Sequence, residues 1–173
     1  CMGSALYKSL FEIEKPKVAL LNIGLEENKG SDVLKKTFST LKNNSLKNFQ
    51  FTGYIEGNHI MDGNVDVIVT DGFTGNIALK TAEGTAKFIT KNFKNSLNKL
   101  SLIISYRSLK KFKEKLDPRK YNGAIFLGLQ SPVVKSHGST DAVGFAHSIN
   151  VCSKIVKSNL IEKIESNLIT VDA

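Results

Sequence analysis

Apolar positions follow two kinds of pattern along this chain. Short, nearly unbroken runs read as buried strands. Val18 to Ile23 (VALLNI) ends at Gly24, and Val65 to Val69 (VDVIV) ends at Thr70–Asp71–Gly72. Ala124 to Leu129 (AIFLGL) is interrupted by Gly128 and followed by Pro132–Val133–Val134. Such runs suit parallel strands covered on both faces. Asn48 to Ile55 (NFQFTGYI) alternates instead, with Phe49, Phe51 and Tyr54 as packing positions, and is a fourth strand candidate.

Between these runs the apolar spacing changes to three and four, as on one side of a helix. Ser31 or Asp32 can cap a helix running to about Lys42, with Val33, Leu34, Phe38 and Leu41 on its apolar side. Ala78, Ala82, Ala86, Ile89 and Phe93 predict a long helix starting near Asn76. Ala142, Phe145, Ala146, Ile149 and Cys152 or Ser153 predict another after His137, and Ile161, Ile164 and Leu168 a short terminal one. Strand–helix alternation of this kind predicts an α/β protein, a sandwich with a largely parallel sheet. Residues 1–173 read as part of one such domain. Cys1–Met2–Gly3–Ser4 shows no strand or helix start, so the chain reads as a fragment or a split gene product.

Composition changes this picture little. Apolar residues make up 41% and charged residues 23%, which suits a globular fold. No apolar run is long enough to span a membrane and no signal-peptide pattern is present, so a cytoplasmic protein is expected. Cys1 and Cys152 lack metal-ligand spacing, so neither a metal site nor a disulfide framework is expected, and Cys152 reads as a small core residue.

The net charge of +8 has a local source. From Lys94 to Lys115 the chain carries seven cations and one anion, Glu114. No aromatic residues are interleaved there as a base-stacking platform, so nucleic acid is not an expected partner. Leu97, Leu100, Ile103 and Ile104, then Leu109, Phe112 and Leu116, give an amphipathic helical hairpin within about 76–116. Its two readings are a dimer interface and, through 94–116, peripheral contact with an anionic membrane surface.

In open α/β sheets ligands bind beyond the carboxyl ends of the strands. Three strand-to-helix turns offer suitable chemistry. Gly24 to Asp32 (GLEENKGSD) supplies Lys29 as a cation and Gly30 for close backbone approach. Asp71 to Asn76 (DGFTGN) supplies Gly72 and Gly75, with Thr74 or Asn76 available as a cap. Ser136 to Asp141 (SHGSTD) places His137 before Gly138, Ser139 and Thr140. Helix starts present unpaired N–H groups and partial positive charge, which suit phosphate. Glycine, serine and aspartate are also simply what such turns require. Three turns at one edge, one with lysine and one with histidine, favour an anion site. His59, in a loop without partners, and His147, on a helix, read as structural.

In order, Met2 to Tyr7 (MGSALY), Val18 to Gly24 (VALLNIG), Glu26 to Asp32 (EENKGSD) and Phe51 to Gly57 (FTGYIEG) resemble the phosphate acyltransferase family. So do Val65 to Gly84 (VDVIVTDGFTGNIALKTAEG) and Leu116 to Ala142 (LDPRKYNGAIFLGLQSPVVKSHGSTDA). The resemblance covers essentially the whole chain and only the C-terminal half of a usual family member. It implies transfer of a fatty acyl group from acyl-carrier protein to inorganic phosphate, giving acyl-phosphate for phospholipid synthesis. It implies a three-layer α/β/α fold similar to phosphotransacetylase and isocitrate-dehydrogenase-like proteins, a homodimer, and no cofactor. A membrane glycerol-3-phosphate acyltransferase would be the functional partner. On this reading Lys29, His137 and Ser139 are the catalytic candidates. Gly30, Asp71, Gly72, Thr74, Gly75, Asn76, Gly138 and Thr140 are the phosphate-binding ones, with Asp71 better suited to orienting other groups. The alternatives are an inactive fragment serving as a dimerisation or binding module, and phosphotransacetylase-like transfer from coenzyme A.

Overall fold

The computed structural model describes residues 1–43, 48–96, 107, 123–138 and 140–169. Its contacts group into two compact units. The first comprises Cys1–Thr70, Ile125–Lys135 and Asn150–Ala173, and the second Asp71–Ala124 and Ser136–Ile149.

The first unit is built on a parallel sheet. Strand β1 (Lys17–Asn22) is central, with β2 (Gln50–Glu56) on one side and β3 (Val67–Val69) on the other. From Val18 to Asn22 every residue of β1 is buried, as its unbroken apolar run requires. The strand expected from Val65 starts two residues later because Asp66 closes the sheet end. Its carboxylate accepts the Lys17 N–H at 2.7 Å, and its own N–H donates to the Lys17 carbonyl at 3.0 Å.

The pairing of β1 with β2 slips between Val18 and Ala19, so Thr52 is an extra residue on β2. Gly53 takes φ +94° at this bulge, and the Thr52 hydroxyl donates to the Val18 carbonyl at 3.1 Å. The slip brings Phe51 and Tyr54 to one core cluster although they are three positions apart. Both rings meet Phe38, with centroids at 5.4 and 4.6 Å. Phe38 comes from helix α1, Asp32–Asn43, which packs Leu34, Phe38 and Leu41 against Leu20 and Tyr54. Val33, expected on this side, is 75% exposed. Truncating Phe38 to alanine costs about 3–5 kcal/mol, the range for a buried aromatic.

The amino terminus departs from the sequence expectation. Met2–Phe11 form a helix, here α2, that ends at Glu12 in a left-handed conformation (φ 57°). A side chain at Gly3 would meet Val67 at 3.1 Å, so glycine lets this helix lie close on β3. Ala5 joins Ile155, Leu160 and Ile164 in a second core cluster. These come from α3 (Ala142–Lys157) and α4 (Leu160–Ile169), the two helices expected near the end of the chain. A parallel sheet flanked by helices is the α/β arrangement that the strand–helix alternation predicts, consistent with the α/β/α sandwich that the resemblance implies.

The third expected strand region does not join that sheet. Ala124–Ile125 (β4) and Val134–Lys135 (β5) form a separate two-stranded sheet. Gly128, at φ +83°, lies in the turn between them, together with Pro132, which lacks an N–H. The Cys152 sulfur lies 4.0 Å from the Pro132 carbonyl and is half-buried, as a packing role requires.

The second unit carries a long helix, α5, Gly72–Ser96. It starts four residues before the expected Asn76. Gly75, Ala78, Ala82, Ala86 and Thr90 form its half-buried side, whereas Ile89 and Phe93 are each 52% exposed. The hairpin expected at about 76–116 lies mostly outside the described residues beyond Ser96. Among the described residues no helix is long and apolar enough to cross a membrane, and no cluster of metal-ligating side chains occurs.

Candidate functional site

The two glycine-rich turns of the second unit open helices in the same way. Asp71 caps α5: its Oδ1 accepts the Thr74 N–H at 2.8 Å and its carbonyl the Gly75 N–H at 2.9 Å. The Thr74 hydroxyl and N–H, with a smaller contribution from the Phe73 N–H, hold this carboxyl below the usual carboxylate range. Asp141 caps α3 likewise, accepting the Gly144 N–H at 2.9 Å and, through its carbonyl, the Phe145 N–H at 2.9 Å. The expected cap at Thr74 or Asn76 is therefore supplied by Asp71. A carboxylate already on these donors would stand beside any phosphate bound there, which suits Asp71 to orienting the helix start.

His137 lies in the turn before Asp141. Its carbonyl accepts the Thr140 N–H at 3.1 Å. Its Nε2 lies 3.2 Å from the ammonium of Lys80, which also lies 3.2 Å from Glu83 Oε2. An ammonium carries only donors, so the Lys80 contact is a hydrogen bond when the His137 proton is on Nδ1. Lys80 thus joins the DGFTGN helix to the SHGST turn across 57 positions of sequence. It stands one turn past Asn76, on a helix whose pattern predicted only packing. Its one sequence signal was a cation two turns into a glycine-opened helix.

The first unit holds the remaining turn. Asn22 at the end of β1 is buried and donates through Nδ2 to the Lys29 carbonyl at 3.2 Å. Gly30 takes φ +87°, and a Cβ there would run into Asn22 Oδ1. Ser31 caps α1, its hydroxyl accepting the Leu34 N–H at 3.3 Å.

The candidates divide accordingly. Lys29 and Gly30 belong to the first unit, and Asp71, Gly72, Thr74, Gly75, Asn76, His137, Gly138 and Thr140 to the second. Ser139 lies outside the described residues. The turns after β1 and β3 follow neighbouring parallel strands, and Ser136–Asp141 follows β5 of the separate two-stranded sheet. His59, expected without partners, pairs through Nδ1 with Asp62 Oδ2 at 2.7 Å. His147 is half-buried on α3.

Comparison with known proteins places these words in a family. The family described as "Fatty acid synthesis protein" matches residues 1–163. The phosphate acyltransferase of Pelagibacter ubique is 58% identical over 172 residues, covering 96% of this chain and 52% of that protein. The phosphate acyltransferase of Azorhizobium caulinodans is 45% identical over 174 residues, covering 98% and 49%. That of Sinorhizobium fredii is 44% identical over 172 residues, covering 96% and 50%. The chain spans about half the length of these curated relatives. With the family matched over nearly all of its length, this chain belongs to the fatty acid synthesis protein family.

Proposed function

We propose that this chain takes part in transferring a fatty acyl group from acyl-carrier protein to inorganic phosphate, giving acyl-phosphate. The observation that carries this reading is the Lys80–His137 contact, which ties together the two turns whose words mark the family. In this reaction a phosphate oxygen attacks the thioester carbonyl and the C–S bond breaks. The proton of hydrogen phosphate ends on the departing thiol, so no protein nucleophile is required. The protein has to hold phosphate beside the thioester and stabilise the tetrahedral oxyanion, a step to which one placed donor contributes roughly 3–4 kcal/mol.

On this reading His137, Gly138 and Thr140 contribute to binding phosphate, with Ser139 as a further candidate from the same sequence word, while Gly72, Thr74, Gly75 and Asn76 set the start of α5, with Asp71 holding it in place. Lys29 and Gly30, in the first unit, are a separate anion-binding candidate. The same reading makes the protein a homodimer, handing its product to a membrane glycerol-3-phosphate acyltransferase, with 94–116 resting on the membrane.

The test is a phosphate-dependent assay of acyl-carrier-protein thioester loss, with acyl-phosphate trapped as its hydroxamate. Acyl-coenzyme A serves as the second donor. Product from the carrier-protein thioester, reduced at least tenfold by His137→Ala, is the expected result. Product from coenzyme A alone would move the reading to a phosphotransacetylase-like reaction.

One observation favours a non-catalytic module instead. Phe73 and Phe88 on α5 are 78% and 68% exposed, an apolar stripe that another protein surface would cover. Phosphate-independent self-association with no product in the assay would support it.

A further inference from the structure

We propose that Lys80 is itself a ligand for phosphate and that Glu83 is its counter-ion while no phosphate is bound. The inference rests on the acyl-transfer reading and adds two residues to it.

Lys80 meets two acceptors at equal distance, 3.2 Å from both Glu83 and His137. These contacts are longer than Lys42–Glu27 at 2.6 Å and His59–Asp62 at 2.7 Å, and comparable to or shorter than Lys8–Glu14 at 3.3 Å and Lys35–Asp32 at 3.7 Å. Charge-assisted bonds settle at about 2.7–2.9 Å. Lys80 is therefore shared between two acceptors and captured by neither. Among the described residues two of its three N–H donors face these acceptors.

The choice of partners also points to an anion. A histidine nitrogen is a poor counter-charge for an ammonium, and once protonated it repels one. A phosphate placed between them accepts from both. Glu83 is mostly buried, with 25% of its side chain exposed, while 52% of the Lys80 side chain is exposed. The carboxylate is thus the fixed partner and the ammonium the movable one. Phosphate then draws Lys80 from Glu83, and Glu83 competes with phosphate for it.

The experiment is an NMR titration of the three imidazoles with inorganic phosphate at constant ionic strength, with sulfate in parallel. In the natural chain the His137 signals move with phosphate. Those of His59, already paired with Asp62, stay in place as an internal reference. Lys80→Ala weakens phosphate binding about tenfold or more, Lys80→Arg retains most of it, and Glu83→Gln tightens it about three- to tenfold. Unchanged affinity in Lys80→Ala overturns the ligand role. Unchanged or weaker affinity in Glu83→Gln overturns the counter-ion role, and both results leave the acyl-transfer reading standing. A natural chain whose His137 signals ignore phosphate removes the anion site altogether, and this inference with it.

Discussion

The carboxylate of Asp71 accepts the backbone N–H of Thr74 at 2.8 Å, so the residue that opens the DGFTGN word is the cap of its helix. Its pKa is depressed, chiefly by the Thr74 hydroxyl and N–H. A depressed carboxyl contributes stability above its unfolded value and loses it as pH falls through the folded one. Asp71→Ala should therefore lower the melting temperature at neutral pH, and the difference from the natural chain should shrink once pH falls below 3.8. Asp71→Asn should keep most of the cap and lack that acid dependence. Thermal melts of the three chains across acid pH check both statements.

The loop after β1 depends on glycine at position 30. Its φ of +87° is strained for any other residue, and a Cβ there would press on Asn22 Oδ1. Gly30→Ala should cost about 1–3 kcal/mol. Adding Asn22→Ala relieves the contact but leaves the backbone strain and removes the Asn22–Lys29 hydrogen bond, so the double variant should regain only part of the loss. Denaturant unfolding of the single and double variants measures the split.

The hydroxyl of Tyr54 is buried and finds no hydrogen-bond partner among the described residues. Burial, with the Glu27 carboxylate as a lesser cause, pushes its pKa up. The ring packs on Phe38 and accounts for the value of the residue to the core. Tyr54→Phe should leave stability unchanged or raise it by up to about 1 kcal/mol, since it removes an unsatisfied buried group. A clear loss in denaturant unfolding would mean that the hydroxyl has a stabilising partner.

Much of this architecture is written in local pattern. The run Val18–Leu21 has no polar position to expose, and it became the buried middle of the central strand. Phe38 and Leu41 fell on the packed side of their helix because their spacing allowed no other. Other features depended on contacts that pattern does not carry. The amino-terminal helix has no signal in Cys1–Met2–Gly3–Ser4, which shows no strand or helix start, yet glycine is what lets that helix approach Val67. Tyr54 reads as a packing position and is one, but the bulge at Thr52–Gly53 that brings it beside Phe51 is not part of the alternating pattern. The three glycine-rich turns were legible as candidates, and His137 stood out as a histidine at a helix start. Lys80 did not, because nothing in its neighbourhood of sequence reveals a partner 57 positions away.

The central claim is that phosphate binds where Lys80 meets His137. Arsenate has the shape and charge of phosphate and scatters anomalously, so a crystal of this chain soaked with it reports the anion's position directly. The account predicts an arsenic peak within hydrogen-bond distance of Lys80 Nζ and the His137 ring, with Lys80 displaced from Glu83. A peak only at the Lys29–Gly30 turn, with Lys80 still on Glu83, would contradict it.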